Sequence, residues 1–121
     1  MPSLTAMAHD FVREHLQSGD AAIDATAGNG HDTRFLAEQV GPTGRVYAFD
    51  VQSKAIQRTT IVLDSLGLAS LVTLRCLDHA DLRAAIPSEH HGRIAAAMFN
   101  LGYLPGGDET IVTQGDSRDA A

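Results

Sequence analysis

Cysteine and long apolar segments are scarce in this chain, and each scarcity excludes something. Cys76 is the only cysteine, so no internal disulfide is possible, and its place in an apolar stretch predicts a buried structural thiol. No apolar run approaches the roughly 20 residues that a membrane-spanning helix needs. The first residues carry no basic region followed by an apolar core, so we expect no secretory leader and a cytoplasmic location.

Basic residues are also few. Nine Lys and Arg stand against 15 Asp and Glu, and the net charge of −6 argues against a general nucleic-acid coat protein. An enzyme that acts on RNA stays open, because it needs only a local basic surface, which a partner subunit can complete. Six histidines are present, but the adjacent His90 and His91 have no ligand spacing elsewhere, so we expect no metal site.

The most informative stretch is Asp-Ala-Thr-Ala-Gly-Asn-Gly-His-Asp-Thr, residues 24–33. It follows a short apolar run that predicts a buried strand, and it leads into a helical pattern. Gly28 and Gly30 allow the backbone to approach a ligand closely, and the helix end offers free N–H groups. A strand ending in Asp50 follows about 20 residues later, where such folds place the acid that grips ribose hydroxyls. Together these features predict a nucleotide-binding corner. Asp32 lies where the helical pattern opens, and a purely structural role as the N-cap or a first-turn acid of the helix would also explain it.

Strands and helices alternate along the chain. We predict an opening amphipathic helix, strands over residues 21–23, 45–50, 71–77 and 94–99, a helix from its N-cap Ser53 to Leu66, and a short helix over 81–85. This alternation predicts an α/β fold with a parallel sheet and helices on both faces. Residues 100–108 are expected to form a loop, and the polar residues 110–121 a tail or frayed helix. A sheet that stops at four strands is small for a doubly wound fold, so we expect one truncated domain over residues 1–121, or else a homodimer.

Three motifs carry a family resemblance: residues 24–33, Val-Tyr-Ala-Phe-Asp-Val-Gln at 46–52, and Ala-Met-Phe-Asn-Leu-Gly-Tyr-Leu-Pro-Gly-Gly-Asp at 97–108. In order and spacing they resemble the "Putative rRNA methylase" family of class I methyltransferases. Its characterised members methylate the aminomethyl group of 5-aminomethyl-2-thiouridine at the tRNA wobble position. The resemblance implies a Rossmann-like fold, S-adenosylmethionine as cofactor and tRNA as substrate. The family has further strands that this chain lacks, and it has Ser-His where this chain has Asp78 and His79.

The cofactor-binding residues that the residue chemistry and the resemblance together predict are Asp24, Gly28, Asn29, Gly30, Asp50, Gln52, Asp78 and His79. The glycine turn suits the methionine part, and Asp50 the ribose diol. Asp24 suits either the N–H groups of the turn or the ligand's ammonium group. Adenine contacts at Asp78 and His79 rest mainly on the resemblance.

The predicted catalytic residues lie in the third motif. Asn100, Leu101, Gly102 and Tyr103 resemble the Asn-Pro-Pro-Tyr motif of methyltransferases that modify exocyclic or side-chain nitrogens. Asn100 would accept the hydrogens of the amine and aim its lone pair at the methyl group, and Tyr103 would stack on the base. The alternative is a plain loop with a core-packing tyrosine.

Other functions stay open. The chain could be a non-catalytic cofactor-binding fragment or pseudo-enzyme, or it could methylate another RNA or a small-molecule amine. A nicotinamide-dependent oxidoreductase is less favoured, because the turn lacks the third glycine of the dinucleotide-binding pattern.

Overall fold

Helices and strands alternate in the folded chain from residue 4 to residue 76. The structure is a computed structural model, and it describes residues 4–28, 30–77, 81, 94–101 and 108–113. In this part of the chain the elements are α1 (Leu4–His15), β1 (Ala21–Asp24), α2 (His31–Val40), β2 (Arg45–Asp50), α3 (Ser53–Leu66), a 3₁₀ turn (Ala69–Leu71), β3 (Val72–Cys76), β4 (Ile94–Leu101) and β5 (Asp108–Thr113). The short helix predicted over 81–85 lies, except for Asp81, outside the described residues.

One sheet contains all five of these strands, in the order β3-β2-β1-β4-β5. The pairs β1–β2, β2–β3 and β1–β4 are parallel, which confirms the predicted parallel sheet. Asp24 is opposite Ala48 on one side and Met98 on the other, so β1 is a central strand. Because the chain leaves β1 for β2 on one side and later fills the other side with β4, the order reverses at β1. Ligands of open α/β sheets bind in the crevice at such a reversal, beyond the carboxyl ends of the strands.

The fifth strand was not predicted. Residues Asp108–Thr113 pair antiparallel with β4, with Ile111 opposite Met98, where we expected a loop end and a polar tail. β4 also extends to Leu101, so Asn100 lies in a strand opposite Glu109 and not in the predicted loop. Four of the six residues from 108 to 113 are polar, so the composition of this segment does not indicate a strand. Ile111 and Val112, between two threonines, supply the β-branched side chains that suit a pleated surface.

Both faces of the sheet are buried. On one face, α1 packs with α2, α3 and the strands through three residues at helical spacing, Ala8, Val12 and Leu16. Tyr47 and Phe49 of β2 lie in a second cluster with Ile23 and Ile94. Burial on two faces is what a parallel sheet of an α/β fold requires. The described helices contribute to the first cluster only.

Local signals at the ends of the elements were partly right. Gly67 caps α3 with φ +71, as its position after Leu66 predicted. The N-cap of α3 is Gln52 and not Ser53, which is the first helical residue. Cys76 is exposed and not buried, because β3 is an edge strand whose burial fades from Val72 towards its carboxyl end. Among the described residues, no helix is long and apolar enough to cross a membrane.

Candidate functional site

The glycine turn connects β1 to α2 at the carboxyl edge of the sheet. Gly28 and Gly30 have φ of +56° and +88°, a region that side-chain-bearing residues rarely adopt. A Cβ on Gly30 would lie 3.2 Å from the Cα of Thr59, so α3 packs directly on this glycine. A Cβ on Gly28 would have its nearest contact at 3.8 Å, the carbonyl oxygen of Thr26. The predicted turn is therefore confirmed, and none of the described residues crowds the backbone at Gly28.

Both neighbouring strands anchor the start of this turn. The Ala25 N–H donates to the carbonyl of Met98 in β4 at 2.9 Å, and the Ala27 N–H donates to the carbonyl of Phe49 in β2 at 2.8 Å. The turn thus continues the hydrogen bonding of β1 beyond its last residue. A ligand that contacts the turn would meet a backbone that is already fixed.

Asp50 braces the turn from the end of β2. Its Oδ2 accepts the Gly28 N–H at 3.0 Å, although the two residues are 22 positions apart, and its Oδ1 accepts the Gln52 N–H at 2.9 Å. The side chain is half-buried. An ionised carboxylate offers about four lone-pair sites, so both oxygens retain capacity for hydroxyl donors of a ligand.

Asp24 lies beneath the turn and is fully buried. Its Oδ2 accepts the Thr33 hydroxyl at 2.7 Å, and its Oδ1 accepts the Thr26 N–H at 3.1 Å. Burial raises the pKa of Asp24 to about 7; the Thr33 hydrogen bond opposes this shift, and the negative charges of Asp32 and Asp50 add to it. Of the two roles predicted for Asp24, the structure contains the contact with an N–H group of the turn.

Asp32 occupies the first turn of α2, whose N-cap is Gly30. Asp32 is therefore a first-turn acid and not the N-cap. Its Oδ1 lies 2.8 Å from Nε2 of His9, a residue of α1. The ring of His9 stacks on Phe35 with centroids 3.9 Å apart. No sequence pattern predicts this role of His9, because the pair joins residues 23 positions apart and no motif contains it.

The remaining predicted site residues are less fully placed. Gln52 is exposed and precedes α3, and its backbone N–H donates to Asp50 Oδ1. Asn100 lies two positions beyond Met98, the partner of Asp24, so its backbone is past the end of β1. Asn29, Asp78, His79 and Tyr103 lie outside the described residues.

The charges at this edge suit a particular kind of ligand. Asp24, Asp32 and Asp50 place three carboxylates around one turn, and the charges of the other two raise the pKa of Asp24. The N-terminus of α2 adds N–H groups that lack partners within the helix and attract an anionic group. The edge therefore offers acceptors for a cation and for hydroxyls, and donors for a carboxylate.

A central parallel order of β3-β2-β1-β4, with a glycine turn after β1 and an acid after β2, is a Rossmann-like arrangement that dinucleotide-binding folds also have. Its similarity to a solved methyltransferase identifies it as the Rossmann-like fold of class I methyltransferases. The chain belongs to the family described as "Putative rRNA methylase", whose model matches residues 46–121.

Curated and solved relatives agree with this family. A chloroplastic tRNA (mnm⁵s²U34)-methyltransferase from Arabidopsis thaliana is 39% identical over 93% of this chain and 43% of its own length. A Streptococcus mutans structure described as a "putative methyltransferase", in complex with SAH (S-adenosylhomocysteine), is 35% identical, with a TM-score of 0.74 over 100% of this chain and 63% of that one. A Clostridium thermocellum structure described as a "putative rRNA-methylase" is 41% identical, with a TM-score of 0.70 over 72% of this chain and 49% of that one. The chain thus spans between about two fifths and two thirds of the length of these relatives.

Proposed function

We propose that this protein is an S-adenosylmethionine-dependent methyltransferase that N-methylates the aminomethyl group of a modified wobble uridine in tRNA. The observation that carries the proposal is the glycine turn that Asp50 braces at the point where the strand order reverses. Family membership supports it, as do one relative in complex with SAH and another named as a tRNA methyltransferase.

The described residues fit the cofactor. Gly28 has no side chain, and among the described residues no atom lies closer than 3.8 Å to the place of a Cβ. The half-buried Asp50 keeps acceptor capacity for a ribose diol. The first-turn N–H groups of α2, which lack partners within the helix, suit the carboxylate of a methionine part. Within the proposal, Gln52, Asp78 and His79 complete the ribose and adenine contacts, and Asn29 completes the turn. Asp24 fixes the turn from below through its bond with Thr26.

S-adenosylmethionine supplies a methyl group that is already activated by a positively charged sulfur. The chain then needs only to position the acceptor amine in line and leave it uncharged. We assign the first task to Asn100, whose amide oxygen accepts the hydrogens of the amine, and we assign stacking on the base to Tyr103. The backbone position of Asn100 on β4, past the end of β1 at the carboxyl edge of that strand, supports this assignment.

The test is a methyl-transfer assay with tritium-labelled cofactor and three RNAs: tRNA that carries 5-aminomethyl-2-thiouridine, the same tRNA as an unmodified transcript, and ribosomal RNA. We expect label only in the first, and in the wobble nucleoside after digestion. Label in ribosomal RNA alone would contradict the tRNA assignment. Cofactor binding without transfer to any RNA would favour the pseudo-enzyme alternative.

A further inference from the structure

His9 is the part of this edge that the proposed function does not use. It lies in α1 and contacts α2 in two ways: its Nε2 is 2.8 Å from Asp32 Oδ1, and its ring is stacked on Phe35 at an interplanar angle of 7°. The side chains of His9 and Asp32 are only 18% and 10% exposed. The stack sets the plane of the ring, and the hydrogen bond sets the direction of one carboxylate oxygen.

The other oxygen of Asp32 has no hydrogen-bond partner among the residues that the structure describes. Buried carboxylate oxygens are seldom left unpaired, because the loss of water is then uncompensated. Asp32 stands in the first turn of α2, next to the N–H groups that lack intrahelical partners. A buried acceptor beside donors that lack intrahelical partners matches a group that carries an ammonium and a carboxylate on one carbon.

Asp24 is poorly placed for the same task. It has no exposed surface, and each of its oxygens already accepts a hydrogen bond, from Thr33 and from Thr26. Asp32 is therefore the better acceptor for an ammonium group at this end of the turn.

We infer that His9 is a positioning residue for the amino-acid end of the cofactor: it holds Asp32 so that the free carboxylate oxygen accepts the ammonium group. The inference rests on the proposed cofactor, and it assigns to α1 a part in binding beyond its packing on the core.

Two substitutions separate the hydrogen bond from the ring stack. His9→Gln retains an N–H donor for Asp32 and loses the ring. His9→Phe retains a ring for Phe35 and loses the donor. The control is His15→Phe, a similar change on the same helix; among the described residues, His15 hydrogen-bonds to the Phe11 carbonyl and its ring contacts the Phe11 ring. Each protein is titrated by calorimetry with S-adenosylhomocysteine and with 5′-methylthioadenosine, which lacks the amino-acid part, and its thermal unfolding is followed by circular dichroism.

We expect His9→Phe to weaken S-adenosylhomocysteine binding about tenfold or more, the usual effect of losing a hydrogen bond to a charged group, and to leave methylthioadenosine binding unchanged. His9→Gln should stay within about threefold of the unmodified chain for both ligands. Asp32→Asn should reproduce the selective loss, which keeps the test decisive if His9→Phe does not fold.

Equal weakening of both ligands in His9→Phe, or unchanged binding of both with a lower melting temperature, would show that His9 only stabilises the fold. If the unmodified chain binds neither ligand, the proposed function itself is wrong. The two failures are therefore distinguishable.

Discussion

Replacement of Asp50 by alanine should weaken cofactor binding at least tenfold while the fold survives. Asp50 accepts the Gly28 N–H at 3.0 Å and the Gln52 N–H at 2.9 Å, and we assign the ribose hydroxyls to its remaining lone pairs. The substitution therefore removes a direct ligand contact and also the brace that holds the glycine turn against β2.

The magnitude follows from the hydrogen bonds that are lost. A hydrogen bond to a charged acceptor contributes roughly 1.5–3 kcal/mol, so one lost ribose contact already corresponds to about a 10- to 150-fold change in affinity. The cost to stability is smaller, about 1 kcal/mol, because Asp50 is half-buried and water can reach the N–H groups that it leaves.

Calorimetric titration with S-adenosylhomocysteine measures the affinity, and circular dichroism checks the fold. Asp64→Ala is the matched control, since it makes the same change at an exposed position of α3. If Asp50→Ala binds as tightly as this control, the assignment of Asp50 is refuted.

Three further predictions concern other parts of the same edge. Gly30→Ala should lower the free energy of unfolding by roughly 2–4 kcal/mol, because of strain at positive φ and crowding against α3. The control Gly67→Ala, at a position with no neighbouring atom of the described residues within 4 Å, should lower it by only about 1 kcal/mol. Equal losses in urea titrations would contradict the close packing at Gly30. Burial raises the pKa of Asp24 from 3.8 to about 7, so the folded state binds the Asp24 proton more tightly than the unfolded state does. The free energy of unfolding therefore falls as the pH rises from about 4 towards 7. The stability of Asp24→Asn, which mimics the protonated form, should therefore rise relative to the unmodified chain by roughly 2–3 kcal/mol between pH 5 and pH 8, and a constant difference would disprove the raised pKa. Asn100→Ala should reduce methyl transfer far more than cofactor affinity, and Tyr103→Ala should weaken tRNA binding by roughly 1–3 kcal/mol; near-full transfer by the first variant would make that segment purely structural.

The sequence predicted the features whose cause is local. Glycines at 28 and 30 are needed because the turn adopts positive φ, and the pattern around them indicated this directly. Asp50 was recognised because a strand-end acid at that spacing meets the glycine turn at one edge of a parallel sheet. The cap at Gly67 has the same local origin.

The features that no sequence pattern predicts depend on contacts between distant segments. The pair of His9 and Asp32 forms only after α1 packs on α2, and no spacing rule links residues 23 positions apart on two different helices. Cys76 looked buried because its neighbours are apolar, but its exposure is decided by the position of β3 at the edge of the sheet. The composition of β5 is mostly polar and does not indicate a strand, so β5 is recognised only from its pairing with β4.

Binding of S-adenosylhomocysteine to this chain is the most direct test of the account, because it depends on the glycine turn and on the acids that the structure places around it. The measurement is a calorimetric titration, with NAD as the comparison ligand and Asp50→Ala as the negative control. We predict saturable binding of S-adenosylhomocysteine to one site per chain, strongly weakened in the variant, and no binding of NAD. Binding of NAD in preference to S-adenosylhomocysteine, or no binding of either ligand by a folded chain, would contradict the account.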